Sequence, residues 1–230
     1  MVIGNGMIAT RFVAYQDDDR FVIFASGVSN SSVTNRDVFD REKQLIIQTR
    51  QAHPDKRFIY FSTCSIYDES LSYSPYVLHK LQMESLVANH KGGYTIFRVS
   101  NPVGKTSNKH TILNYLIDVI CKQISFTVYS GAKRNLMDLD DMYKLCDGVL
   151  QQSLFSNAIL NVANPNSYSI LYIVKHIENH FLKKALYKTV EKSSVPHIDV
   201  ADVLPLYERL HIRFDNDYLV HLLKKYYPLT

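Results

Sequence analysis

Short apolar runs rich in β-branched and aromatic residues alternate along the chain with longer amphipathic stretches. Runs of the first kind fall at Met1–Ile3, Phe21–Ala25, Phe58–Ser62 and Tyr94–Val99, and their length and composition predict buried strands. Between them, apolar positions recur at helical spacing over about Met7–Tyr15, Val38–Ala52 and Pro75–Asn89. Later helical segments are expected near Ile112–Lys122, Met142–Gln152, Ile170–Leu182 and Asp217–Tyr226. Strands separated by helices of this length predict an α/β fold, a Rossmann-like doubly wound parallel sheet reached through helical crossovers. The polar segment Val103–His110 breaks the pattern and sets an expected boundary. Residues 1–105 would form the main domain and residues 106–230 a smaller lobe, with some elements returning to the main sheet. No internal repeat or low-complexity tract is present.

Three stretches carry candidate chemistry. Gly4-Asn5-Gly6-Met7-Ile8-Ala9 follows a strand and opens a helix, the context in which a glycine turn brings backbone amides close to a pyrophosphate, or simply makes a tight β-α turn. Phe58 to Tyr67 reads as a buried strand ending in the hydroxyls Ser62, Thr63 and Ser65. In doubly wound sheets such strand ends face the ligand crevice. In Ser74-Pro75-Tyr76-Val77-Leu78-His79-Lys80, Ser74 suits the helix N-cap and Pro75 the first helical position, which puts Tyr76 in the first turn and Lys80 one turn further on the same face. A phenol beside an ammonium is a proton-transfer device, because a cation favours tyrosinate over tyrosine.

Composition narrows the classes. The chain has 230 residues, 46% of them hydrophobic, and a net charge of +4 without a block of like charges. A core of useful size is expected, and an anionic small molecule suits the charge better than nucleic acid or a membrane surface. The three cysteines, Cys64, Cys121 and Cys146, lie far apart without CxxC spacing, so neither a disulfide framework nor a metal site is indicated. No apolar run approaches the roughly 20 residues that span a bilayer, and the chain enters Val2-Ile3-Gly4 without a signal-peptide pattern. A cytoplasmic location is the expectation.

Taken together, the glycine turn, the Ser62-Thr63 strand end, the Tyr76/Lys80 pair followed by Glu84, and the stretch Phe97 to Gly104 resemble the extended short-chain dehydrogenase/reductase family, in its nucleotide-sugar epimerase/dehydratase branch. Arg134 to Asp141 is similar to that family's Arg-x-x-x-x-x-x-Asp segment, and Leu160 to Ala163 followed by Tyr168-Ser169-Ile170 to its late strand and helix entry. The resemblance implies a nicotinamide cofactor and a nucleotide-sugar substrate. It implies Tyr76 as general acid/base, Lys80 as the partner that lowers its pKa and holds the nicotinamide ribose, and Thr63 as hydrogen-bond donor to the substrate oxygen. Cofactor contacts would come from Gly4, Asn5, Gly6, Met7, Ile8, Ala25, Ser26, Gly27, Ser62, Tyr76 and Lys80, with Ala9 completing the turn. Substrate contacts would come from Thr63, Ser65, Asn101 and Arg134, the last two at the diphosphate. The C-terminal lobe would then bind substrate. A homodimer through the helices at Val38–Ala52 and Pro75–Asn89 is also implied.

The chain departs from that family in informative ways. Only one helix fits between the glycine turn and Phe21, where the family has a second strand, a second helix and a third strand. The missing piece normally selects NAD or NADP. Arg11 is left as a candidate for the 2′-phosphate of NADP and Asp17 to Asp19 as candidates for a ribose, with NADP favoured over NAD. A single helix joining the first strand to the next poses a problem of hand, so either that helix changes face or the sheet order differs. Asp40, Arg41 and Glu42 stand where many relatives carry an Asn supporting the catalytic Lys. Thr63 is followed by Cys64 and Ser65 rather than the Asp-Glu of dehydratases, and Cys64 falls one position before the Cys of 3,5-epimerases. Reduction of a 4-keto nucleotide sugar is therefore favoured, with a 4-epimerase as the alternative. A non-catalytic dinucleotide- or nucleotide-sugar-binding protein is the alternative of another class.

Overall fold

The computed structural model describes residues 1–229. In chain order the elements are β1 (Val2–Ile3), α1 (Met7–Arg11), β2 (Phe21–Phe24), α2 (Arg36–Ala52), β3 (Arg57–Thr63), α3 (Pro75–Ala88), β4 (Tyr94–Val99), β5 (Pro102–Val103), α4 (Ile112–Cys121), β6 (Phe126–Arg134), β7 (Met137–Asp138), α5 (Leu139–Gln151), β8 (Ala158–Val162), β9 (Tyr168–Ser169), α6 (Ile170–Phe181), β10 (Tyr187–Ser194), α7 (Leu204–Arg209) and α8 (Tyr218–Tyr226). The strands and helices expected from the apolar pattern are all present.

The main sheet is parallel throughout, in the order β1-β2-β3-β4-β8. Successive side chains of a strand point to opposite faces, and both faces are covered. Phe21, Ile23, Ile59, Phe61 and Phe97 pack with Phe12, Tyr15 and the α5 residues Met142, Leu145 and Val149. Val22, Phe24, Phe58, Tyr60 and Ile96 pack with Ile46 of α2 and with Met83 and Val87 of α3. These near-continuous apolar runs are what a strand covered on two faces requires.

The helix α1 therefore lies on the opposite face from α2 and α3. Since the chain advances across the sheet in one direction from β1 to β4, connections on opposite faces have opposite hands. The unit β1-α1-β2 therefore has the hand opposite to β2-α2-β3 and β3-α3-β4, whereas about 98% of such crossovers share one hand. Side chains of α1 and the turn after it hold it there. The Arg11 Nε lies 2.6 Å from Asp140 Oδ1, and its guanidinium sits 3.8 Å from the Tyr143 ring centroid. Phe12 packs edge-on against Tyr143 at 4.9 Å between centroids, and Tyr15 donates to Asp147 Oδ1 at 2.6 Å. Arg11 is thus committed to α5 and does not line the cleft described below, contrary to its candidacy for a 2′-phosphate. Asp18 is paired with Arg20 and Asp19 with Lys56. They precede β2 and sit at the opposite end of the sheet from the ligand-binding strand ends, which removes the expected ribose contact.

A second core lies in the lobe. There β6 pairs with β10 in parallel and with β9 antiparallel, and its buried Phe126, Val128 and Ala132 pack against α4, α6 and α8 through Leu116, Ile173 and Leu222. Residues 139–163 nevertheless belong to the main core, because α5 covers one sheet face and β8 adds the last strand. The apolar pattern does not reveal β6, β10 or α7. Ser130-Gly131 interrupts the alternation in β6, the side chains of β10 are almost all exposed, and α7 is too short for periodicity.

Phe12 is fully buried whereas its neighbour Val13 is 65% exposed. Phe12→Ala should lower unfolding free energy by about 3–5 kcal/mol, and Val13→Ala by no more than about 0.5 kcal/mol, both read from urea denaturation.

Candidate active site

The carboxyl ends of β1 to β4 open into one cleft of about 900 Å³, as expected for a doubly wound sheet. Asn5, Gly6, Met7, Ile8, Ala25, Ser26, Gly27, Ser62, Thr63, Ser65, Tyr76, Lys80, Asn101 and Arg134 all line it. Gly4 stands behind the turn. Its φ of +128° suits only glycine, and a Cβ there would come within 2.4 Å of the Ala25 carbonyl oxygen. At Gly6 nothing lies within 4 Å of where a Cβ would project, so the turn presents bare backbone to open space. That cradle fits the diphosphate of a dinucleotide.

Tyr76 and Lys80 are placed by the start of α3. The Ser74 Oγ accepts from the Val77 N–H at 3.2 Å and Pro75 occupies the first turn, so Tyr76 follows at once and Lys80 lies one turn on. Both are buried. Lys80 is not free, however. Its Nζ donates to Glu42 Oε1 at 3.1 Å and to the Tyr60 hydroxyl at 3.0 Å. Glu42, reaching in from α2 and wholly buried, also accepts from Tyr60 at 2.7 Å, from the Val28 N–H at 2.7 Å, and meets His79 Nε2 at 3.0 Å. Burial opposes its charge. The Lys80 ammonium and the donors from His79, Tyr60 and Val28 outweigh that cost and hold the carboxyl at about 2. Burial, with Glu42's charge and hydrogen bond added, pushes the Tyr60 phenol well up, so it keeps its proton for Glu42. A Cβ on Gly27 would fall 2.5 Å from Lys80 Nζ and 2.9 Å from Glu42 Oε1, so any other residue there would push the ends of these two side chains aside.

The strand-end hydroxyls divide their tasks. Thr63 Oγ1 accepts from the Ser65 N–H at 3.0 Å and pairs with Ser65 Oγ at 2.9 Å, starting the short 3-10 turn over Cys64–Tyr67. Ser62 Oγ donates to Glu84 Oε1 at 2.5 Å. Glu84 in turn is gripped by Arg98, Nε to Oε1 at 2.9 Å and Nη2 to Oε2 at 2.6 Å, a bidentate pair linking α3 to β4. Cys64 Sγ lies 3.0 Å from the Arg98 carbonyl oxygen, and burial pushes its thiol far up. It is neither a base nor a nucleophile at neutral pH. At the lobe end, Asn101 Nδ2 donates to the Asn135 carbonyl at 2.7 Å, while Arg134 donates to the Lys133 carbonyl at 2.7 Å and stands 4.0 Å from Asp68 Oδ2. Burial disfavours the Asp68 charge, but hydroxyls of Ser70 and Ser194 at 2.6 and 2.7 Å hold the carboxyl below its ordinary range.

The matching family model is that of the NAD dependent epimerase/dehydratase family, over residues 20–163. The chain belongs to this family. It is accordingly a nicotinamide-dependent enzyme of the sugar-nucleotide epimerase/dehydratase type. No curated protein sequence matches it. Among solved structures, the UDP-glucuronic acid 4-epimerase of Bacillus cereus, in complex with UDP-glucuronic acid and NAD, superposes with a TM-score of 0.68 at 19% identity, covering 92% of this chain and 75% of that one. The UDP-glucose 4-epimerase of Thermus thermophilus with NAD gives 0.69 at 14%, covering 93% and 79%. The dTDP-glucose 4,6-dehydratase of Bacillus anthracis with NAD gives 0.66 at 12%, covering 88% and 71%.

The residue that sequence reasoning undervalued is Glu42. A signal was available, since Val38, Phe39, Leu45, Ile46 and Thr49 mark the inward face of α2 and Glu42 falls on that same face. An acid on an apolar stripe calls for a buried cation. Its folded-state pKa lies below that of an unfolded glutamate, so its ionised form stabilises the fold above about pH 4.3 and that stabilisation is lost as pH falls toward 2. Between these limits wild type should lose roughly 3 kcal/mol of stability through this group, a component absent from Glu42→Gln in paired denaturant titrations.

Proposed function

We propose that this protein reduces the 4-keto group of a nucleotide sugar with a nicotinamide dinucleotide. What carries this reading is the convergence of Thr63, Tyr76 and Lys80 on one cleft, with Asn101 and Arg134 at its far end. The two residues after Thr63 are equally important. They are a buried, raised thiol and a serine bonded to Thr63 itself, which supply no acid and base for removing water.

A bound nicotinamide supplies the hydride. The Tyr76 hydroxyl gives a proton to the carbonyl oxygen as that oxygen gains charge. Thr63 Oγ1 takes the Ser65 N–H and its O–H donates to Ser65 Oγ, a donation that would turn to the same oxygen when substrate binds. Lys80 has three N–H donors, of which Glu42 and Tyr60 take two, and the third serves a ribose hydroxyl. Asn5 and Gly6 would line the cofactor diphosphate, with Ala25 to Gly27 beneath the cofactor. Arg134 would bind the substrate diphosphate with charge-assisted donors. Reversible oxidation and re-reduction at carbon 4 uses the same groups. That second reading is favoured by the similarity to the two 4-epimerase folds.

For the cofactor the reading is NADP. Arg41 lies on the cleft wall, its Nη2 donating to the Ser26 carbonyl at 3.1 Å. It pairs with no carboxylate among the described residues and so has donors for a 2′-phosphate. The same reading includes a cytoplasmic protein and a homodimer through α2 and α3, where Leu78 is 51% exposed. No helix among the described residues is long and apolar enough to cross a membrane.

Tyr76→Phe should lower turnover of 4-keto nucleotide sugars by about 100-fold or more while leaving NADPH affinity within about twofold. Failure of both NADH and NADPH to bind at millimolar concentration, read by fluorescence, would defeat the enzymatic reading. Arg41→Gln should weaken NADPH binding by about tenfold, one lost charge-assisted contact, and leave NADH affinity unchanged. Equal loss for both cofactors would remove Arg41 from the 2′ position.

A further inference from the structure

At the amino ends of β6 and β10 the lobe presents two loops bonded to each other. Lys183 Nζ donates to the Cys121 carbonyl at 2.8 Å, Gln123 Nε2 to the Lys184 carbonyl at 2.9 Å, and the Phe126 N–H to the Leu186 carbonyl at 3.1 Å. Leu182 stands out from this end 88% exposed, and Ile124 and Leu186 are each about half exposed. The φ of Leu182 is +53°, in the left-handed region that helix ends ordinarily give to Gly or Asn. A leucine there suits neither its backbone nor water. Three exposed aliphatic side chains on adjoining loops make a patch, unlike the scattered single residues of an ordinary surface.

Lysines surround it. Lys183 and Lys184 follow Leu182 directly, Lys188 stands at the start of β10, and Lys192 lies further along that strand with its Nζ 5.2 Å from the Tyr129 ring centroid. None of these four pairs with a carboxylate among the described residues. Of the nearby acids, Asp118 is taken by Lys122 at 2.6 Å and Glu178 accepts the Ala185 N–H at 2.9 Å, which leaves Glu191. Along the chain these lysines are separated by apolar residues and form no block, and only the packing of 121–126 against 182–187 sets Ile124 beside them. Lysine is depleted at protein–protein interfaces, and a protruding leucine is idle against a phosphodiester backbone. An anionic bilayer uses both, since apolar side chains enter its headgroup boundary and lysines meet its charge. We propose that this end of the lobe docks on an anionic lipid surface, with Leu182, Ile124 and Leu186 entering the headgroup layer and Lys183, Lys184 and Lys188 against its acidic groups. The exposed Tyr187 and Tyr129 continue the surface with side chains suited to a membrane boundary. From this end β6 runs nine residues to Arg134 on the cleft wall, roughly 25 Å at the rise of a strand, so docking leaves the cleft open. This role goes beyond the reductase reading and does not rest on it.

The full chain is mixed with vesicles of phosphatidylcholine alone and with vesicles that also contain phosphatidylserine, and the bound fraction is read by sedimentation. Wild type should pellet with the anionic vesicles, stay in solution with the neutral ones, and be released by added salt. Leu182→Asn, which suits the left-handed backbone, should weaken binding by about tenfold through the loss of one inserted aliphatic side chain. Lys184→Gln/Lys188→Gln should weaken it by about tenfold or more. None of these residues lines the cleft or bonds through its side chain to another part of the protein among the described residues, so thermal melting of both variants should be no lower than that of wild type. Failure of wild type to pellet with the anionic vesicles, equal binding to both kinds of vesicle, or unchanged binding by either folded variant overturns the proposal. Capture by a mixed-sequence DNA duplex that needs the lysines, ignores Leu182→Asn and occurs without vesicle binding overturns it in favour of a nucleic-acid surface.

Discussion

The buried carboxylate of Glu42 is the constraint on which the site depends. It ties four pieces of chain together: α2 that carries it, β3 through Tyr60, α3 through His79 and Lys80, and the loop after β2 through the Val28 N–H. An ionised carboxylate without water around it persists only when its lone pairs are met by donors and its charge by a cation. Here all four contacts are made within 3.1 Å. Removing one partner of such a pair costs several kcal/mol because the other is left buried and uncompensated. Lys80, the loop after β2 and the first turn of α3 are therefore held in one register by a single side chain.

The shortened sheet has a comparable economy. With β1 directly beside β2, the first crossover takes the hand opposite to its neighbours, an arrangement that packing must maintain. Phe12 and Tyr15 fill the space over Ile23 and Phe61, while Arg11 and Tyr15 bond to α5. Because α5 comes from the second half of the chain, the start of the sheet is packed against residues distant in sequence. The uncovered edge is short, and the Gln16 side chain meets the Val2 N–H at 3.3 Å, which blunts a site for unwanted strand pairing.

Much of this was legible in the residues. The apolar runs at Phe21, Phe58 and Tyr94 name their strands because a parallel sheet covered on both faces keeps most of their positions apolar. The glycine turn, Thr63, Tyr76, Lys80, Asn101 and Arg134 are marked by short spacings that local geometry preserves, and the fold gathers all but Gly4 and Ala9 on the cleft surface. The parts that stayed hidden lacked a local signal. β10 exposes nearly every side chain and so has no apolar stripe, and β6 is broken by Ser130-Gly131. Arg11 looked available for a phosphate because its partner, Asp140, lies 129 residues away in sequence.

The sequence by itself determined the class of fold, where the main strands lie along the chain and that Tyr76 and Lys80 share one helix face, since each is written in short-range periodicity or in spacings of a helical turn. Only the tertiary structure decided which face α1 occupies and which charges cancel. Lys80 is a lone cation when read along α3, and becomes half of a neutral pair when α2 packs beside it. Hydrophobic period and capping act over a few residues and survive in one dimension, whereas electrostatic compensation depends on separations of about 3 Å between groups that only folding brings together.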